Sequence, residues 1–312
     1  MYGQFFILFG LILVGYYCNK KGYLPMETNK NVGHMVMRVT IPAMLITTIA
    51  SIEITDRVLR AFLLSAAGQI AMMVVFGFLM RQYGRKRGLD SRLLPMLDLT
   101  AGSLNTGFIG LPVTMIFFGQ AGIIYMSAGV LALNLYLWSY GVYLISDKKA
   151  TGAAAIGKSF LQGAINPNCI SILLGLLLAV THTARFVPTV VLGFLTKVGD
   201  LSTPLSLIYI GALAGIVQLF KEKTALEISV VKMIGMPALA ILAMLFIPAD
   251  GLAKSVFLLS VCMPSAAVVP MMVGRYGYGD KMSSDIVLWT TVLSMATLPL
   301  SVLLAAKLYG AV

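Results

Sequence analysis

Asn105 and Thr106 open the run Asn105-Thr106-Gly107-Phe108-Ile109-Gly110-Leu111-Pro112, set inside a long apolar stretch. A carboxamide and a hydroxyl can hydrogen-bond a carboxylate, or cap a helix, without carrying charge themselves. Gly107, Gly110 and Pro112 loosen the backbone and remove an N–H donor. A second run, Met263 to Pro270, places Pro264, Ser265 and Pro270 between apolar flanks. Breaks in apolar helices are tolerated at membrane depth only against protein or a watery cavity. Each half-helix beginning at a break brings about half a positive charge to its N-terminus. Two such ends converging on one point can hold an anion without a fixed cation. The chemistry these residue types offer is anion binding, with Asn105, Thr106, Gly107, Pro112, Pro264, Ser265 and Pro270 as candidates; for Asn105 capping alone, and for Ser265 simple backbone satisfaction, are the rival roles.

Other polar residues stand in apolar surroundings. Asp98 lies about two turns before Asn105 and reads either as a proton or cation site or as an interfacial carboxylate paired with Arg92 or another basic neighbour. Arg38 and Asp200 either pair with each other, or Arg38 offers its charge to the ligand. Lys197 sits about 15 Å along its span, at 1.5 Å per residue, and either snorkels to the interface or serves transport. Gln69, Ser127 and Asn134 form either a polar pocket behind the breaks or ordinary interhelical hydrogen bonds. His34 and His182 fall at opposite ends of spans, and Cys18, Cys169 and Cys262 have no metal-ligand spacing, so no metal or other cofactor is expected. With no HExxH, no GxSxG and no second carboxylate near Asp98, an enzyme is not expected either.

These residues need a membrane around them. The 312 residues are 59% hydrophobic and 11% charged, against about 45–50% and about 25% in soluble domains. Spans are expected at about 3–19, 30–50, 58–80, 93–118, 121–145, 165–181, 188–217, 226–247, 252–274 and 284–308. The chain thus reads as an all-α polytopic membrane protein with ten transmembrane helices. The first apolar segment has no basic n-region or small-residue cleavage site and reads as a retained span, not a signal peptide. A net charge of +11 is spread over short connections, which argues against nucleic acid. Connections after odd-numbered spans are rich in Lys and Arg and the others are poor. The positive-inside rule puts the rich set in the cytoplasm and both termini on the other side.

Landmarks recur at about half the chain length. Pro42 and Pro204 are 162 residues apart, as are Arg38 and Asp200; Asp90 and Asp250 are 160 apart, Pro112 and Pro270 158, Trp138 and Trp289 151. Five spans per half invert the second half. The expected architecture is a 5+5 inverted repeat, residues 1–150 and 151–312, with broken helices 4 and 9 crossing near the midplane, a common build for secondary transporters.

The segments NTGFIGLP, FFGQAG and VVPMMVGRYG resemble the auxin efflux carrier family, which includes plant PIN carriers and bacterial permeases for malate, malonate and similar acids; the resemblance covers essentially the whole chain. It implies scaffold helices 1, 2, 6 and 7, mobile transport-domain helices 3–5 and 8–10, and elevator-type carriage of a small organic anion. It further implies Asn105 and the crossover prolines at the site, a bacterial inner (plasma) membrane location, and a homodimer surrounded by lipid. The short connection between spans 5 and 6 departs from the long loop of many plant members. In the related bile-acid symporters a pocket like that of Gln69, Ser127 and Asn134 holds sodium, so a sodium-coupled organic-anion symporter is the alternative, and an anion channel a more distant one. With no acidic residue in span 9 beside that pocket, proton coupling or facilitated flux is preferred.

Overall fold

The computed structural model describes residues 2–145, 165–216, 223–244, 250–275, 277 and 279–310, and among these the chain is helical with no strand. The connection carrying Lys148, Lys149 and Lys158 lies outside the described residues. The helices are α1 (Tyr2–Lys20), α2 (Met26–Met35), which runs through a π turn (Val36–Thr40) into α3 (Ile41–Ala50), α4 (Asp56–Lys86) and α5 (Leu94–Gly102). After a second π turn (Thr106–Gly110) come α6 (Leu111–Tyr136) and, past a third, α7 (Val142–Ile145). The second half holds α8 (Pro167–Val180), α9 (Thr189–Asp200), α10 (Ser202–Ile216), α11 (Lys223–Met244), α12 (Gly251–Val261), α13 (Val269–Arg275) and α14 (Asp280–Tyr309). Among the described residues six helical stretches are long and apolar enough to cross a membrane, and α8 and α12 are shorter apolar helices. The protein is an integral membrane protein.

Helix starts follow local chemistry. Thr55, Asn166 and Asp250 accept from the backbone N–H three residues on, at 3.3, 3.0 and 2.7 Å, and cap α4, α8 and α12. Pro167 follows its cap directly, where the missing N–H costs nothing.

The apolar stretch Leu94–Ile145 is 52 residues long but does not run straight. At Gly119 the backbone turns to φ 61, ψ −159, a region open essentially to glycine alone. A Cβ on Gly122 would lie 2.8 Å from Thr114 Cγ2, and one on Gly110 2.7 Å from Met126 Sδ. Residues sixteen apart on a straight helix are about 24 Å apart, so α6 doubles back on itself and carries Thr106 to the level of Gly129.

Packing falls into two sets. α1 runs along α10, α10 touches α2, and α3 packs on α8 and α9. In the other set α4 packs on α5 and α6, α11 on α14, and α12 on α14, α6 and α4. Contacts between the sets are thinner and pass mainly through α6, which touches α3, α8 and α10. Lipid chains are as apolar as leucine, so helices in membranes associate through close packing of small residues. The α1–α10 seam shows it: a Cβ on Gly15 would strike the Ile208 carbonyl, and one on Gly211 the Ile12 carbonyl. Gly211→Ala is therefore expected to cost about 1–3 kcal/mol by forcing the helices apart. Gly10→Ala, whose Cβ meets nothing within 4 Å, should leave the thermal midpoint in detergent unchanged and serves as the comparison.

Candidate functional site

Two helix interruptions face each other. The first follows Gly102: Ser103 is extended at φ −69, ψ 153, and regular structure resumes at Thr106. The second separates Val261 from Val269. Their backbones bond across the gap, with Asn105 N–H donating to the Pro264 carbonyl at 2.8 Å and Ala266 N–H to Ser103 Oγ at 3.1 Å. Ser265 N–H donates to Thr290 Oγ1 on α14, also at 3.1 Å. Several N–H groups that the sequence offered to an anion are thus already bonded within the protein. Thr106 N–H is also taken, by the Leu104 carbonyl at 2.9 Å, and Val269 N–H by the Ala266 carbonyl at 3.1 Å, which leaves the first-turn amides of Gly107 and Phe108.

Asn105 sits at the start of the π turn without capping it: its side chain makes no capping bond, while its carbonyl accepts from Ile109 and Gly110 N–H at 3.3 and 3.0 Å. Among the described residues its carboxamide makes no hydrogen bond. It borders a small cavity lined mainly by apolar and aromatic groups, including Phe108, Tyr209, Leu213, Ala267 and Val287, with Thr291 also on the wall. Phe108 and Tyr209 stack there with ring centroids 5.0 Å apart. Thr106 Oγ1 is buried without a partner among the described residues. Pro112 and Pro270 stand at the second helical positions of α6 and α13, and Pro264 supplies the carbonyl that meets Asn105. Gly107 lies in the π turn, and a Cβ there would meet only Met37 side-chain atoms, at 3.8 Å and beyond.

Asp98 is fully buried on α5. Tyr140 O–H donates to its Oδ2 at 3.0 Å, Tyr136 O–H reaches its backbone carbonyl at 3.4 Å, and Arg81, not Arg92, is its ion-pair partner at 4.0 Å. Its Oδ1 has no hydrogen-bond partner among the described residues. A buried carboxylate held by one phenol and a distant guanidinium keeps one oxygen open to a proton or a cation.

The remaining candidates make hydrogen bonds of their own. Gln69 donates to Ser65 at 3.1 Å and its Oε1 is unpartnered among the described residues. Ser127 donates to the Ile124 carbonyl at 2.7 Å and Asn134 to the Val130 carbonyl at 2.8 Å, while Asn134 accepts from Asn166 at 2.9 Å. No hydrogen bond among the described residues joins Gln69, Ser127 and Asn134 to one another. Arg38, Lys197 and Asp200 are exposed, and no ion pair among the described residues connects Arg38 to Asp200. Asp200 instead lines a separate, partly polar cavity of about 380 Å³ with Thr47, Thr48, Ser51, Gln120 and Thr203 beside Met44, Met115 and Ile116. No cluster of metal-ligating side chains occurs among the described residues.

Sequence reasoning missed Lys232. It is 1% exposed, and its Nζ donates to the Ser103 carbonyl and, at 2.8 Å, to Ser265 Oγ, one group from each break. Its signal was present: a lysine well inside an apolar span is a functional candidate by default.

A family model described as "Membrane transport protein" matches residues 1–302. The chain belongs to this family of membrane transport proteins. The match agrees with the family resemblance carried by the NTGFIGLP run. The transport protein is also 25% identical over 294 residues to an uncharacterized transporter of Methanothermobacter thermautotrophicus, covering 93% of both chains. It is 24% identical over 298 residues to an uncharacterized transporter of Methanocaldococcus jannaschii, covering 93% of this chain and 94% of the other. Transport, not enzymology, is what these relatives' descriptions carry. In this transport protein Tyr140→Phe should destabilise by about 1–2 kcal/mol, since the carboxylate loses its one neutral donor. Tyr136→Phe, which removes only the long bond to a carbonyl, should cost less; thermal unfolding of the two purified variants makes the comparison.

Proposed function

We propose that this membrane transport protein is a secondary transporter that carries a small organic anion by elevator-type alternating access. In this reading its ten helices form a 5+5 inverted repeat whose two interrupted helices cross at the site. The observation that carries it is the Asn105 carboxamide, unspent on its own helix, facing a mainly apolar cavity beside the half-helix that begins at Thr106. A carboxylate accepts from the Asn105 amide and the Gly107 and Phe108 N–H groups, and the rest of the ligand lies against Phe108, Tyr209, Leu213 and Val287. That lining favours an acid with one carboxylate and an apolar or aromatic body over a small dicarboxylate.

Other features support the same reading. The two packing sets support a reading with a scaffold of spans 1, 2, 6 and 7 and a moving unit of spans 3–5 and 8–10, and their thin contact suits sliding of one along the other. Asp98, on the moving unit with Arg81 and Tyr140, is the coupling carboxylate. Ser127 and Asn134 are spent on their own helix carbonyls, which favours proton-linked or facilitated flux over a sodium site there. The lysine and arginine distribution supports both termini on the non-cytoplasmic face, and the family resemblance implies a plasma-membrane location.

Counterflow of labelled mono- and dicarboxylates in proteoliposomes tests the reading. Saturable exchange of an apolar monocarboxylate is expected; absence of exchange across the panel, or conductance steps in its place, would sink it. Asn105→Ala should reduce uptake about tenfold or more, the scale of a hydrogen bond to a charged group, with membrane insertion intact. Asp98→Asn should flatten the dependence of flux on an imposed pH gradient, and an unchanged profile would make Asp98 structural.

A further inference from the structure

An ammonium inside a membrane-spanning bundle is costly and persists only where acceptors surround it. Lys232, on α11, is among the largest fully buried side chains of the protein. Ion pairs among the described residues join Arg57 to Asp250, Arg81 to Asp98 and Arg87 to Glu227, and none of them includes Lys232. Its acceptors are neutral oxygens: the carbonyl of Ser103, at the C-terminal end of α5, and the hydroxyl of Ser265. A half-helix C-terminus carries the negative end of the peptide dipole. Exposed carbonyls at such ends, joined by hydroxyls, are the ligands that hold coupling sodium ions in transporters with broken helices.

The two breaks are held from both sides. Asn105 N–H to the Pro264 carbonyl and Ala266 N–H to Ser103 Oγ link them directly. Lys232 adds a positive charge that touches Ser103 of one break and Ser265 of the other. Gln69 stands 163 residues before Lys232, close to the offset that relates Arg38 to Asp200. Gln69 donates only to Ser65, one turn away on its own helix. One half thus carries a neutral amide at this position and the other a cation.

Resting on the transporter reading, we propose that the Lys232 ammonium is a tethered cation standing in the position of a coupling ion, so that the carrier holds its two breaks together without sodium. The Ser103 carbonyl and Ser265 hydroxyl are satisfied by the side chain and are not offered to a cation from solution. Removing the ammonium leaves both oxygens facing a small space in which a monovalent cation or a short alkylammonium fits.

The test uses the purified full-length protein and its Lys232→Ala, Lys232→Met and Lys232→Gln variants, with thermal unfolding followed in matched sodium, choline and methylammonium chlorides. Wild type should unfold at the same temperature in sodium and choline. Lys232→Ala should unfold earlier in choline and recover in sodium or methylammonium. Lys232→Met, which fills the space without charge, should not recover. Exchange of the transported acid should fall about tenfold or more in Lys232→Ala, the scale of a lost charge-assisted hydrogen bond, and return in part with methylammonium. A Lys232→Ala variant as stable as wild type in choline would overturn the proposal, as would one that no cation restores, or saturable stabilisation of wild type by sodium. If Lys232→Ala does not fold, Lys232→Gln decides: wild-type stability there shows that charge is unnecessary and rejects the tethered cation, and a loss like that of Lys232→Met supports it. The thermal pattern without any acid exchange would keep Lys232 in this role and reject the carboxylate reading instead.

Discussion

The hydrogen bond from Asn105 N–H to the Pro264 carbonyl, 2.8 Å long, governs the interior of this protein. A backbone amide released from its helix within a bilayer has no water to turn to, and an unbonded one costs several kcal/mol. Each interruption is stable because the other answers it. Ser103 does this twice, with its hydroxyl accepting from Ala266 and its carbonyl from Lys232. The breaks are therefore one cross-braced unit, and α5, α6, α12 and α13 are positioned by it.

Satisfaction of the backbone is what makes the Asn105 side chain available. Had its oxygen been needed as a helix cap, as asparagine often is, the carboxamide would be spent inside the fold. Here the Pro264 carbonyl takes the Asn105 N–H and the Leu104 carbonyl the Thr106 N–H, and the amide borders a cavity whose walls are mainly apolar. A polar group presented in such walls is strongly selective, because a ligand that leaves it unpaired loses its full desolvation cost. The reversal at Gly119 completes the arrangement, returning α6 so that Gly129 and Met126 pack behind Thr106 and Gly110.

Asp98 shows the same economy with charge. Tyr140 and Arg81 approach one carboxylate oxygen and leave the other open. The nearby glycines hold this geometry: a Cβ on Gly77 would lie 2.7 Å from the Asp98 carbonyl, and one on Gly102 2.5 Å from both the Met73 carbonyl and the Tyr136 hydroxyl. These residues let α4 and α5 approach closely enough for a carboxylate to be buried between them.

The membrane class and the positions of the breaks were legible in the sequence, because each depends on local composition: apolar runs long enough to span, and glycine and proline where a helix cannot continue. The family was legible for the same reason. Partnership was not. Nothing local told Arg81 from Arg92 as the neighbour of Asp98, since that choice depends on how α4 lies against α5. How Gln69, Ser127 and Asn134 bond was not legible either, because serine and asparagine do not announce whether they will bond their own helix carbonyls, as Ser127 and Asn134 do. Lys232 was in plain sight in its apolar span, but only the folded chain brings its ammonium to Ser103 and Ser265, 129 and 33 residues away. Sequence determines where a helix must break; tertiary structure decides which groups heal the break and which are left for a ligand, because those partners come from distant parts of the chain.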